Sequence, residues 1–186
     1  MIVTKSDLRE YIREDQRMQP WPSNPLKRII GAGGAIVRWK VYLRKCEYHH
    51  NVSQNLYHKL AYFWYLFFLK KYESRFCSEI PINVFGKGLL IWHPERIIVN
   101  PESTVGDYCS LSSGVVIAQA HGRCPTVGHH VEFMIDSKVL GGCPYVICQV
   151  RLVPGCVVSC RGLGACAGVV SVRGGVVVVV WVPPGW

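Results

Sequence analysis

The sequence is short of acid, and it has no closely paired cysteines. Twelve Asp and Glu stand against 21 Lys and Arg in 186 residues, a formal net charge of +9. No acidic residue follows Asp136. Nine cysteines occur, yet no CxxC is among them. Spacings such as Cys143/Cys148 and Cys156/Cys160/Cys166 match no zinc ligand set, so no metal is expected. An odd number of thiols fits a reducing compartment better than a disulfide framework. The opening residues, MIVTKSDLREYIRED, contain no apolar core, so no secretory signal is expected and the expected location is cytoplasmic. Long apolar segments with helical character are missing too. The run LAYFWYLFFL, Leu60 to Leu69, is ten residues long and lies between Lys59 and Lys70–Lys71. A spanning helix needs about 20 apolar residues. The run therefore reads as a buried or subunit-contacting helix, with peripheral membrane contact as the alternative, and no integral membrane segment is expected.

What is present divides the chain in two. Basic residues crowd the first third, from Lys5, Arg9, Arg13 and Arg17 through Arg38, Lys40, Arg44 and Lys45 to Lys70 and Lys71. They are spread along helix-like segments, and no nucleic-acid motif accompanies them. The leading reading is a solvated helical face, the alternative an anionic cofactor or substrate, and nucleic acid is not an expected partner. A helix is expected over 5–17, with Ser6 as its cap and Leu8, Tyr11 and Ile12 on one face. Pro20, Pro22 and Pro25 break the chain. A second helix is expected over 27–48, weakened early by Gly31, Gly33 and Gly34, and a third over 54–72. Helix formers thin out near 76–82. The expected organisation is an α-helical segment over 1–78 and a β domain over 79–186.

The β part keeps a beat of six. Val99, Val105, Leu111 and Ile117 are aliphatic, and Ser103, Cys109 and Val115 follow the first three at four residues' distance. After an interruption of about six residues, QAHGRC (Gln119–Cys124), the beat resumes at Val127, Phe133 and Val139, with Val131 and Ser137 in the small positions. One residue is then inserted, and the register continues at Val146, Leu152 and Val158. Neither a helical period nor strand alternation produces this. A period of six means a short strand, a turn and the same again, so three units close one triangular coil. The expected fold is a parallel β-helix of hexapeptide repeats with a loop extruded at one corner. From about residue 143 the pattern decays, and five consecutive valines near the C-terminus would aggregate on an exposed edge.

The segment GKGLLIWHPERIIVNPESTVGDYCSLSSGVVIAQAHGRCPTVG resembles the hexapeptide-repeat acyltransferases, and the serine O-acetyltransferase branch in particular. SDLREYIREDQ looks like the shortened helical head of serine acetyltransferase-like proteins. The resemblance implies a left-handed β-helix, a homotrimer, and acetyl-coenzyme A bound between subunits as co-substrate. It implies acetyl transfer to the hydroxyl of L-serine for cysteine synthesis, with a sugar hydroxyl in polysaccharide assembly as the alternative acceptor. The family's general base falls on His93. A hydroxyl is a poor nucleophile until a base takes its proton, and imidazole suits that task near neutrality. The family carries aspartate directly before this histidine, where this sequence has Trp92. It carries a second, substrate-contacting histidine where this sequence has Cys124. His121, in the extruded loop, is a second catalytic candidate, while His129 and His130 read as surface residues. The coenzyme-binding edge corresponds to Ser137, Lys138, Gly141 and Gly142. Trp92, Cys124 and the decayed tail leave a non-catalytic scaffold as a third reading.

Overall fold

The computed structural model describes residues 1–120, 122–141, 151–152, 154 and 157–159. Helix α1 (Lys5–Met18) is capped by Thr4, two residues earlier than Ser6 would place the cap. The Asp7 amide donates to the Thr4 hydroxyl at 3.0 Å, and the Thr4 amide donates back to the Asp7 carboxylate at 2.9 Å. This reciprocal box satisfies two amides that the first turn leaves free, which Ser6, already inside the helix, does not do. The helix expected over 27–48 is two helices, α2 (Pro25–Ile30) and α3 (Ala32–Asn51). Gly31 is extended between them, and a side chain on Gly31 or Gly34 would collide with the α2 backbone at Lys27 or Arg28. The glycines thus permit a close fold-back, where the sequence pattern suggested only a weakened helix. Helix α4 (Leu56–Phe76) runs one turn beyond expectation and ends at Cys77, whose φ of 50° is left-handed.

Among the described residues ten short strands follow, and every pair of these strands is parallel: β1 (Leu90–Ile91), β2 (Ile98–Val99), β3 (Thr104–Val105), β4 (Ser110–Leu111), β5 (Val116–Ala118), β6 (Thr126–Val127), β7 (Glu132–Phe133), β8 (Lys138–Leu140), β9 (Arg151–Leu152) and β10 (Val157–Ser159). Three sheets collect them in rotation, β1-β4-β7-β9, β2-β5-β8-β10 and β3-β6. A chain that visits three sheets in turn winds as a three-sided coil. The beat is its interior. Val99, Val105, Leu111, Ile117, Val127, Phe133 and Val139 are all at most 3% exposed, and Ser103, Cys109, Val115, Val131 and Ser137 are buried beside them. Each Val, Leu, Ile or Phe side chain among them contributes about 1.5–3 kcal/mol by leaving water. The register after the single-residue insertion holds for Leu152, which pairs with Phe133, and Val158, which pairs with Val139. Val146 and most of the decayed region lie outside the described residues.

The registers also locate two irregularities. Val99 pairs with Ile117, 18 residues on, whereas Val105 pairs with Val127, 22 on, so the extruded loop adds four residues to a coil. Ile91 pairs with Leu111, 20 residues on, so the first full coil is longer by two. The extra pair falls between Ile91 and Val99, in the segment that carries His93.

The first coil has no coil above it, and its outward backbone groups need other partners. The helices supply them through side chains. Asp15 accepts from the Leu89 amide at 2.8 Å, Glu47 from Asn83 at 2.9 Å, Glu73 from Ile80 at 3.3 Å and Gln19 from Ile91 at 3.4 Å. Lys40 donates to the Leu89 carbonyl at 2.8 Å, Arg44 to Phe85 at 2.9 Å and Gln19 to Ile91 at 2.7 Å. Arg44 also pairs with Asp15 at 2.8 Å and Glu47 at 3.0 Å. Lys40 and Arg44 are therefore not part of a solvated face: they are 2% and 0% exposed. Around this network the helical residues Trp39, Leu43, Leu69 and Phe76 share one buried cluster with Ile80, Phe85, Ile91 and the coil interior. The aromatic run of α4 is split. Leu69 is buried and Tyr62, Tyr65 and Leu66 pack on the cluster, while Leu60, Phe63, Trp64 and Phe67 stay more than 60% exposed. Among the described residues no helix is long and apolar enough to cross a membrane.

Burial works against the Arg44 charge, but Asp15 and Glu47 outweigh it and hold the guanidinium protonated. Arg44→Met strands both carboxylates, and the unfolding free energy measured in denaturant is expected to fall by about 3–5 kcal/mol. Burial brings Lys40 down to about 8 from 10.5, against the pull of Asp15. Between those values the unfolded chain binds more protons than the folded one, so Lys40's contribution to stability rises with pH. The stability difference between wild type and Lys40→Met is expected to shift in favour of wild type as pH climbs through that window, and to be flat below it.

Candidate active site

His93 lies between β1 and β2, at the corner widened by two residues. The corner is pinned from both sides. Ser78 donates its hydroxyl to the Pro94 carbonyl and accepts from the Ile97 amide at 2.9 Å. The Arg96 amide donates to Phe76 at 3.2 Å, the Trp92 amide to Leu111 at 2.9 Å and the Gly114 amide to Glu95 at 3.0 Å. Pro94 and Ile97 are buried, whereas Trp92 and His93 are exposed. A fixed backbone thus presents an indole and an imidazole side by side to solvent, with no carboxylate at the position before the histidine.

Cys124 sits at a different corner, between β5 and β6. The extruded loop is a tight hairpin in which Ala120 and Arg123 exchange two backbone hydrogen bonds of 3.1 Å. His121 lies outside the described residues, and Gly122 takes a left-handed φ of 73°. The hairpin brings the Cys124 thiol to the coil above, where it donates to the Glu102 carboxylate at 3.3 Å and lies 3.7 Å from the Asn100 side chain. Desolvation, reinforced by Glu102, pushes the Cys124 thiol pKa up. Cys124 is therefore a neutral donor here and not a thiolate. Sequence reasoning missed Asn100 and Glu102. The available signal was NPES, where the Asn100 side chain accepts from the Glu102 amide at 2.8 Å and tightens the turn.

The remaining candidates separate. Ser137 is fully buried, with its hydroxyl turned into the prism and unpaired among the described residues, so it shows the surface no side chain. Lys138 is half-buried on β8. Gly141 has a φ of 81°, and a Cβ there would stand 3.2 Å from Ala120, so the hairpin already fills the space a side chain would take. Gly142 lies outside the described residues. His129 and His130 are exposed: the His129 ring accepts from the Asp107 amide at 3.0 Å, and His130 stacks on Tyr108 at 5.2 Å. Within one chain the structure joins Cys124 to Asn100 and Glu102 but leaves His93 at another corner.

The fold recurs in known structures. The serine acetyltransferase of Brucella abortus strain S19 superposes with a TM-score of 0.53 at 21% identity, over 83% of this chain and 60% of that one. The chain has the serine acetyltransferase fold. A serine acetyltransferase in complex with CoA matches with a TM-score of 0.53 at 17% identity, over 83% of this chain and 61% of that one. The soybean serine acetyltransferase complexed with serine matches with a TM-score of 0.50 at 15% identity, over 83% of this chain and 67% of that one. The chain thus spans about 60% of the length of the Brucella and CoA-bound proteins. No family model and no curated protein matches the sequence.

Gly141→Val combines a disfavoured backbone angle with a collision against Ala120. It is expected to cost about 1–3 kcal/mol and to loosen the hairpin, seen as faster amide exchange at Arg123 with the coil interior still protected.

Proposed function

We propose that this chain is an acetyl-CoA-dependent O-acetyltransferase that acetylates the hydroxyl of L-serine, with His93 as general base. The supporting observation is the pinned, widened corner that exposes His93 on a coil of serine acetyltransferase fold. His93 takes the hydroxyl proton as the serine oxygen bonds to the thioester carbonyl carbon. The carbon–sulfur bond then breaks, and the imidazolium returns the proton to the departing thiolate. The products are O-acetylserine and free coenzyme A. In this reading the protein is a cytoplasmic enzyme of cysteine synthesis.

The reading includes a homotrimer of left-handed β-helices. Each prism carries His93 on one corner and the Cys124–Glu102 pair on another. A threefold arrangement that sets one copy's first kind of corner against the next copy's second kind builds three equal sites. The protonated Cys124 thiol and the Glu102 carboxylate are then the polar groups facing the acceptor, and His121 is retained as a second catalytic candidate. Towards the coenzyme, Lys138 offers a cation for a phosphate. Ser137, Gly141 and Gly142 would contribute backbone only, and Gly141 adds no cleft because Ala120 occupies it.

One observation favours a sugar acceptor instead. Trp92 is 56% exposed next to the base, and a flat indole is a platform for a sugar ring. A thiol-release assay with acetyl-CoA compares L-serine with a panel of sugars. His93→Ala is expected to lower kcat/KM by about 10²–10⁴-fold, and undiminished turnover overturns the assignment of the base. Trp92→Ala raises KM for a sugar acceptor but leaves the KM for serine unmoved.

A further inference from the structure

The helical head carries a cavity of about 460 Å³ lined by α1, α3 and α4. It shares no residue with either corner of the coil. Lys5 and Arg9 reach it from α1, and Lys45 reaches it from α3. No carboxylate lines it. The nearby acids of α1 are committed elsewhere: Asp7 closes the cap with Thr4, and Glu10 pairs with Lys87 at 2.6 Å. Among the described residues neither Lys5 nor Arg9 has an ion-pair partner. Three cations therefore line one cavity, and no carboxylate among the described lining residues neutralises them.

The floor of the cavity is a histidine pair. His49, only 7% exposed, places its Nδ1 at 3.0 Å from the Nδ1 of His58 on α4. One ring must hold the proton that the other accepts. Tyr65 stacks on His49 at 5.4 Å, and Lys45 lies 5.0 Å from the centre of the Tyr65 ring. Burial first, then the neighbouring His58 and Lys45, hold His49 below its ordinary pKa. A second proton on the pair is thus opposed by burial and by Lys45, and an anion in the cavity would offset that opposition. Tyr57 stands exposed at the mouth, edge-on to His58 at 5.3 Å.

We propose that this cavity binds a phosphate group, with Lys5, Arg9 and Lys45 holding its oxygens and the His49–His58 pair gaining a proton on binding. Phosphate fits better than carboxylate because a monoester carries about −1.5 to −2 charge near neutrality. That matches three fixed cations and a pair able to add a fourth. The source is either free phosphate or a phosphate ester whose flat group lies on Tyr57.

Calorimetry on the full chain, with inorganic phosphate, adenosine 5′-monophosphate and adenosine as probes, tests the proposal. One phosphate-dependent site per chain is expected, about tenfold tighter near pH 6 than near pH 8, with no binding of adenosine. Equal affinities for the two phosphates identify free phosphate as sufficient, and a tighter nucleotide identifies an ester; both support the site. Arg9→Met and Lys45→Met are expected to weaken binding about tenfold each, and His58→Gln to flatten the pH dependence. Arg9 is exposed, so its variant tests the site without risk to folding. Absence of binding by protein with native circular dichroism overturns the proposal. So does adenosine binding as tightly as its phosphate, or affinity unchanged in both cation variants.

Discussion

The first coil of a stacked structure has one edge with no neighbour, and the organisation of this molecule follows from that edge. Ladder groups that face another coil everywhere else here face helices. Asp15, Lys40, Arg44, Glu47, Glu73 and Gln19 replace the missing coil, group by group, with side-chain donors and acceptors. Burying charges is costly, and it is sustained here because Asp15, Arg44, Glu47 and Glu73 each meet both a counter-charge and a backbone group, while Lys40 meets two backbone carbonyls. The same contacts set the rotation of α1 and α3 over the coil. Through Ser78 they also extend to the corner that holds His93.

Proximity along the chain has little to do with function in such a fold. Cys124 and Glu102 are 22 residues apart yet in contact, because one turn of the coil with its hairpin has that length. Trp92 and His93 are adjacent in sequence and share one exposed corner. The candidate groups occupy corners, where the chain bends and backbone geometry departs from the regular strand. The flat faces and the interior carry the beat, and they tolerate little chemistry.

The beat was legible because a buried aliphatic column repeats every six residues regardless of what the corners carry. The helices α1, α3 and α4 were legible as elements, but their ends and the separate α2 were not. Thr4 competes with Ser6 for the cap, and only Asp7, placed three residues after Thr4, decides between them. The first coil escaped the hexad reading: Ile91 and Val99 are eight residues apart, so no period of six runs through His93. Its histidine was found by likeness to a family and not by rhythm. Lys40 and Arg44 read as solvated because nothing local in a sequence marks an open edge elsewhere. The Cys124–Glu102 contact was hidden for a related reason, since it requires the coil register and the four-residue insertion together.

The order of the segments matters for how the molecule comes into being. The helical head precedes the coil in the chain, so a ribosome releases the anchoring side chains before the strands they will hold. The first strand to emerge finds its helical partner groups already synthesised, and each later turn can be laid on the one before it. Growth is thereby given one direction, and the starting end is closed to strands from other molecules.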